Sequence, residues 1–198
     1  MSAAKPLSAL ILAAGQSRRF GGGKLRATWN GRPLILWALE AALAAPVTEI
    51  VLVWGGDPLI LPLLPPDPRL KIVHCEDHLN GMGASLAAGL RAIDPASAGA
   101  YVFLGDMPRV PVSLTFAMAM ALEGHVKAVA PEYDHQRGHP VLLSAALFGK
   151  LLTLNGDQGA GVVLKDLDRD LTLVPAPDDG CLFDIDRPDD LDTSMVRP

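Results

Sequence analysis

Ala9-Leu10-Ile11-Leu12-Ala13-Ala14-Gly15-Gln16-Ser17-Arg18-Arg19-Phe20-Gly21-Gly22-Gly23-Lys24 is where the chain declares its architecture. An unbroken apolar run gives way to small residues interleaved with three cations. Such a run, with no polar alternation, fits a strand covered on both faces, as in a parallel sheet. Small residues let the backbone come close to a ligand, successive amides can cradle phosphate oxygens, and Arg18, Arg19 and Lys24 bring the charge a triphosphate requires.

The same alternation continues outward from that stretch. Strands are expected at Ala9–Ala13, Glu49–Val53, Lys71–Val73, Tyr101–Leu104, Ala128–Ala130, Pro140–Leu143 and Leu171–Val174. Helices are expected at Leu34–Ala44, Ala84–Ala92, Ser113–Leu122, Ser144–Leu152, Ala160–Leu167 and from Pro188 onward. Strands separated by helical patterns are βαβ units, which places the chain in the α/β class with a mostly parallel sheet. At 198 residues, with no gap resembling a linker and no internal repeat, residues 1–198 are expected to form one domain.

Composition narrows the function. The net charge of −5 excludes a general nucleic-acid binder, and no segment reaches the ~20 apolar residues of a membrane span. Cys75 and Cys181 have no metal-ligand or redox spacing. The apolar stretch at 7–14 is too short for a signal peptide, so a cytoplasmic location is expected. Yet residues 1–39 hold Lys5, Arg18, Arg19, Lys24, Arg26 and Arg32 before the first acid, Glu40. A basic tract in an acidic chain points to a local anion site.

Two common phosphate motifs do not fit. A Walker A loop would need Gly where Arg18 stands and Ser or Thr where Leu25 stands, and Ser17 and Phe20 occupy glycine positions of the dinucleotide fingerprint. Leu12-Ala-Ala-Gly-x-Ser-x-Arg-x-Gly-x-x-Lys24 instead resembles the signature loop of the MobA-like nucleotidyltransferases. Within them it is most similar to the molybdenum cofactor cytidylyltransferases. The resemblance implies a Rossmann-like three-layer α/β/α fold, a nucleoside triphosphate, Mg²⁺ and release of pyrophosphate. It puts Ala13, Ala14, Gly15, Ser17, Arg18 and Lys24 on the nucleotide, with Arg19 and Lys24 also in catalytic roles.

In doubly wound sheets ligands bind beyond the carboxyl ends of the strands, which directs attention to three further segments. Asp106 in Leu104-Gly-Asp-Met-Pro108 either bonds its own backbone in a turn or holds a metal, and the resemblance implies the latter. Asp186 in Asp184-Ile-Asp-Arg-Pro-Asp-Asp190 either caps the following helix or closes the metal site with Asp106, as the resemblance implies; Asp184 is its alternate. Asp189 and Asp190 suit a helix N-terminus. In Gly81-Met-Gly-Ala-Ser85, Ser85 either caps its own helix or meets the nucleoside beside Gly81. His139, in Gly138-His-Pro140, falls on the acceptor side by resemblance. His74 and His78 straddle a strand end, where paired metal ligation at helical spacing is not expected. Asp157 is expected to cap the helix after it.

The reaction implied is transfer of CMP from CTP to the terminal phosphate of molybdopterin, with a client molybdenum oxidoreductase as a further partner. Ala14 favours CTP over GTP, because guanylyl relatives usually have Gly there. Gly-Asp-Met-Pro leans toward the guanylyl branch. The alternatives are guanylyl transfer, a sugar- or polyol-phosphate nucleotidyltransferase, and a non-catalytic molybdenum cofactor carrier.

Overall fold

The computed structural model describes residues 6–154, 156 and 159–192; Asp157 lies outside the described residues. The chain runs β1 (Leu7–Ala13), β2 (Thr28–Trp29), β3 (Arg32–Pro33), α1 (Leu34–Ala44), β4 (Glu49–Trp54), β5 (Leu70–His74), α2 (Met82–Ala92), β6 (Gly99–Leu104) and α3 (Val112–Ala121). It continues through β7 (Ala128–Tyr133), β8 (Gln136–Arg137), β9 (Val141–Ser144), α4 (Phe148–Leu151), α5 (Gly161–Lys165) and β10 (Leu171–Pro175).

The main sheet has the order β10-β7-β9-β6-β1-β4-β5, with β8 paired to β7. β1 pairs in parallel with both β4 and β6, and β9 alone runs antiparallel to its neighbours β6 and β7 within that row. From β1 the chain goes to β4 and β5 on one side and returns to β6 on the other. The β1/β6 gap is therefore a switch point of the topology, the place where such sheets take ligands.

Alternate side chains of β1 serve the two faces. Ala9, Ile11 and Ala13 pack with Ile35, Leu39, Leu114 and Met118 of α1 and α3. Leu10 packs with Leu86 and Leu90 of α2, and with Leu151, Val163 and Leu164 of α4 and α5. Helices on both faces explain why β1 and β4 are nearly continuous apolar runs. This is the expected Rossmann-like, three-layer arrangement with a mostly parallel sheet.

Three helices are shorter than expected. The segment from Ser144 begins as a 3-10 turn, Ala145–Leu147, and becomes α-helical only over Phe148–Leu151, where Gly149 weakens it. The expected helix from Ala160 is restricted to α5. The turn at Pro188–Asp192 is 3-10. Two small elements were not anticipated: the β2–β3 ribbon and the 3-10 helix Pro58–Leu63. The ribbon did have a signal, since Asn30-Gly31 is a typical two-residue hairpin turn and both residues have positive φ. Among the described residues no helix is long and apolar enough to cross a membrane.

At the end of the sheet away from the strand C-termini, a buried carboxylate ties four segments together. Glu49 accepts from Ser8 Oγ at 2.7 Å, Lys71 Nζ at 2.7 Å and the Asp94 amide at 2.6 Å. Burial pushes its pKa up, but these donors outweigh burial and hold it below the ordinary 4.5. A depressed folded pKa gives stability that is present above pH 4.5 and lost as the pH falls through the folded value. Glu49→Gln should therefore cost about 1–3 kcal/mol at neutral pH. In urea melts, its deficit against the wild type should shrink below pH 4.5.

Candidate active site

A cavity of about 470 Å³ opens at the carboxyl ends of β1 and β6. Its size suits a small-molecule ligand. The 14–24 loop forms one wall, the start of α2 another, and Asp106 and Asp186 close the floor.

The loop's shape follows from its glycines. Ser17 has φ of 50°, and Gly21, Gly22 and Gly23 follow with 86°, 96° and 65°. Three successive left-handed residues are tolerable only without Cβ atoms. The turn closes on Ser17, whose carbonyl accepts from the Phe20 and Gly22 amides, each at 3.1 Å. Among the described residues, the amides of Gly15, Gln16 and Ser17 have no protein acceptor. They remain as donors at the cavity wall, as an anion cradle requires.

Lys24 is the centre of the charge arrangement. Its side chain is 11% exposed; Nζ lies 2.5 Å from Asp106 Oδ2 and 3.4 Å from Asp186 Oδ1. Arg19 Nη1 takes the other oxygen, Asp186 Oδ2, at 2.8 Å. Asp106 thus faces the cleft instead of folding back on its own turn. Burial pushes Asp186 up, but the charges and hydrogen bonds of Lys24 and Arg19 prevail and keep it below the ordinary carboxylate value. Asp184 moves the opposite way: burial raises it first, and the Asp106 and Asp186 charges add to the rise, only partly offset by Lys24.

Tertiary packing holds Asp186 in place. Ile185 is fully buried with Trp29 and Leu34 in a small satellite core, and its amide donates to the Asp106 carbonyl at 3.1 Å. Trp29 meets Trp37 edge-on at 5.4 Å and Phe183 at 5.9 Å between ring centroids. Arg109 binds Asp179 at 2.5 Å and lies over the Phe183 ring at 4.8 Å, fastening the incoming strap. The following turn is capped by Asp190, whose Oδ2 accepts from the amides of Asp186 and Arg187 at 2.8 and 2.7 Å. Both oxygens of the Asp186 carboxylate face cations instead.

α2 supplies the opposite wall. Gly81 precedes it at φ 97°, ψ −177°, a conformation available essentially to glycine alone. Ser85 lies inside the helix, not at its cap. It is 5% exposed, faces the cavity, and its hydroxyl has no hydrogen-bond partner among the described residues.

The expected residues Ala13, Ala14, Gly15, Ser17, Arg18, Arg19, Lys24, Gly81, Ser85, Asp106 and Asp186 line this one cavity. His139 and Asp184 are not among its lining residues. His139 sits behind the floor, with Nδ1 3.4 Å from the Val102 carbonyl. Burial lowers its pKa, against the opposing pull of that carbonyl and the Asp106 charge. Arg26 and Arg32 leave the basic tract to pair with Asp57 and Glu40. Among the described residues no group of three or more His, Cys, Asp or Glu could hold a metal.

Gln16, His78, Leu79 and Met82 also line the cavity and were not anticipated. Leu79 and Met82 are exposed apolar residues that no local pattern distinguishes from surface. The alternation Phe183-Asp184-Ile185-Asp186 was a readable signal for an extended segment with one apolar side.

A glycine-lined switch-point cleft, with a lysine between two aspartates, on a three-layer sheet, defines the class: an α/β nucleotidyltransferase. The chain belongs to the MobA-like NTP transferase domain family, whose sequence model matches residues 9–171. It is 29% identical to the purine catabolism protein PucB of Bacillus subtilis, with 96% of each chain aligned. A molybdenum cofactor guanylyltransferase of Cereibacter sphaeroides is 37% identical over 60% of this chain and 59% of its own. Rv0371c of Mycobacterium tuberculosis superposes with a TM-score of 0.82 at 24% identity, covering 94% of this chain and 96% of that one. That protein has also been solved in complex with manganese.

Ile185→Ala should lower stability by about 2–5 kcal/mol, as for comparable buried truncations. The same truncation should loosen the anchoring of Asp186, read as a larger loss of stability than the surface substitution Asp189→Ala gives in parallel urea melts.

Proposed function

We propose that residues 1–198 act as one domain that transfers CMP from CTP to the terminal phosphate of molybdopterin. The observation that carries this reading is the Lys24 ammonium, held by Asp106 and Asp186 on the floor of a cavity whose wall offers free backbone amides.

An oxygen of the acceptor phosphate attacks the α-phosphorus of CTP in line, the bond from that phosphorus to the bridging oxygen breaks, and pyrophosphate leaves. Both reactants are anionic, so the main barrier is charge repulsion, and a phosphate monoester near neutrality needs no base to deprotonate it. The protein's work is positioning and cationic stabilisation. The amides of Gly15 to Ser17 bind phosphate oxygens. Lys24 and Arg19 neutralise charge as it develops, with Arg18 at the rim. The Ser85 hydroxyl and Gly81 meet the nucleoside, and His139 serves the acceptor side from behind the floor.

The acidic pair fits a divalent cation. Asp106 and Asp186 bring hard oxygens from two loops to within hydrogen-bonding reach of one ammonium, and Mg²⁺ takes one or two protein carboxylates, completing its shell with phosphates and water. When bound there, Mg²⁺ supplies charge neutralisation to the triphosphate and the departing pyrophosphate.

Ala14, which lines the cavity, supports the pyrimidine, because a methyl there would crowd a purine more than a pyrimidine. Guanylyl transfer is the second reading, favoured by the Cereibacter relative and by Gly105-Asp106-Met107-Pro108. A molybdenum oxidoreductase would receive the product under either.

Thermal shifts of the protein with Mg²⁺ and either CTP or GTP separate the two readings: CTP should raise Tm more, and a response to GTP alone would replace the cytidylyl assignment. Pyrophosphate release with molybdopterin and CTP should fall about 100- to 1,000-fold in Lys24→Ala, and by no less in Asp106→Ala. A carrier protein would release none even as wild type.

A further inference from the structure

Lys24 stands where a metal would have to stand. Its ammonium touches both carboxylates, and Arg19 holds the remaining oxygen of Asp186, so three of the four oxygens of the acidic pair already face a cation. Only one oxygen of Asp106 has no such partner. A divalent ion bridging the pair would come within a few ångströms of the ammonium, and like charges at that separation in a partly shielded site repel strongly. Metal and ammonium cannot both occupy the space between Asp106 and Asp186.

The placement also meets the needs of the nucleotide-free protein. Two acids at the foot of a cavity need a counter-charge, because removing one partner of a shielded ion pair leaves an uncompensated charge. Without Lys24, Asp186 would keep Arg19, and Asp106 would have no ion-pair partner among the described residues. Lys24 is tethered at its backbone by the 3-10 turn Lys24–Arg26, whose preceding residue is the last of the three left-handed glycines. Its long side chain can swing from that fixed base, and the free amides of Gly15 to Ser17 mark where phosphates would lie on the same cavity wall.

We propose that Lys24 is a placeholder cation: it keeps divalent metal out of the Asp106–Asp186 pair until the phosphates of a nucleotide draw its ammonium away. The inference rests on the nucleotide-and-metal reading above. Nucleotide enters first, Lys24 moves from the carboxylates to the phosphates, and the vacated pair then takes the metal. By linkage, nucleotide and metal strengthen each other's binding by the same factor. Stray divalent ions cannot occupy the empty enzyme and block the lysine that has to meet the triphosphate.

The test is Mn²⁺ binding to the full chain, read from the electron paramagnetic resonance signal of free Mn²⁺, without nucleotide. Wild type should bind weakly. Lys24→Met and Lys24→Gln, which are one atom shorter and remove the charge, should bind at least tenfold more tightly, and Mn²⁺ alone should raise their Tm while leaving that of the wild type unchanged. Lys24→Arg should bind as weakly as wild type, and adding Asp106→Asn to Lys24→Met should abolish the gain. In EDTA, wild type should still bind a non-hydrolysable CTP analogue. Tight Mn²⁺ binding by nucleotide-free wild type overturns the placeholder role, without requiring any variant to fold. So does equal affinity in wild type and the neutral variants. Either result leaves the transferase reading standing, whereas failure of every protein to bind either Mn²⁺ or the analogue removes that reading itself.

Discussion

An ammonium group that is nearly shut off from water has to be paired, and the pairing of Lys24 with Asp106 and Asp186 dictates much of what surrounds it. Asp106 and Asp186 lie 82 and 162 positions along the chain from Lys24. Bringing them together requires β1 and β6 to be neighbours, so that the loops leaving their carboxyl ends emerge side by side. It also requires the C-terminal strap to cross the same opening. Losing Lys24 would leave Asp106 without an ion-pair partner among the described residues, and a partly shielded charge left uncompensated costs more than a surface ion pair returns.

The strap shows how such a demand is met. Residues 183–186 alternate apolar and acidic, and the apolar side is seated in a core of its own, around Trp29 and Leu34, outside the two large clusters that flank the sheet. The β2–β3 ribbon exists to present Trp29 there. Arg109, gripping Asp179 and lying over Phe183, fixes the approach from the other side. Aspartates two positions apart then diverge chemically: Asp186 has both cations and stays charged, while Asp184 has burial and two like charges against it.

Stability and chemistry occupy opposite ends of the sheet. The Glu49 node, which accepts from Ser8, Lys71 and Asp94, ties strands and loops at the end opposite the cavity. The carboxyl end collects left-handed glycines and, among the described residues, amides without a protein acceptor and a serine hydroxyl without a protein partner.

Much of this was written locally. The apolar run from Ala9 and its successors specified the strands, because a strand buried on both faces needs nothing but apolar residues in sequence. The glycines and cations of 14–24 pointed to the loop that walls the cavity, because backbone freedom and charge are properties of the residues themselves. What tertiary structure alone decided was partnership. Arg26 and Arg32 look like Lys24 in the sequence but are spent on Asp57 and Glu40, and only the packing reveals it. Ser85 and Asp186 each had two readings, cap or ligand. The cap reading fails for both: α2 begins at Met82, ahead of Ser85, and both Asp186 oxygens pair with Arg19 and Lys24. Leu79 and Met82 line the cavity only because of where a distant loop lies. Local chemistry sets what a side chain is capable of, and the neighbours that folding supplies determine which of those capacities is used.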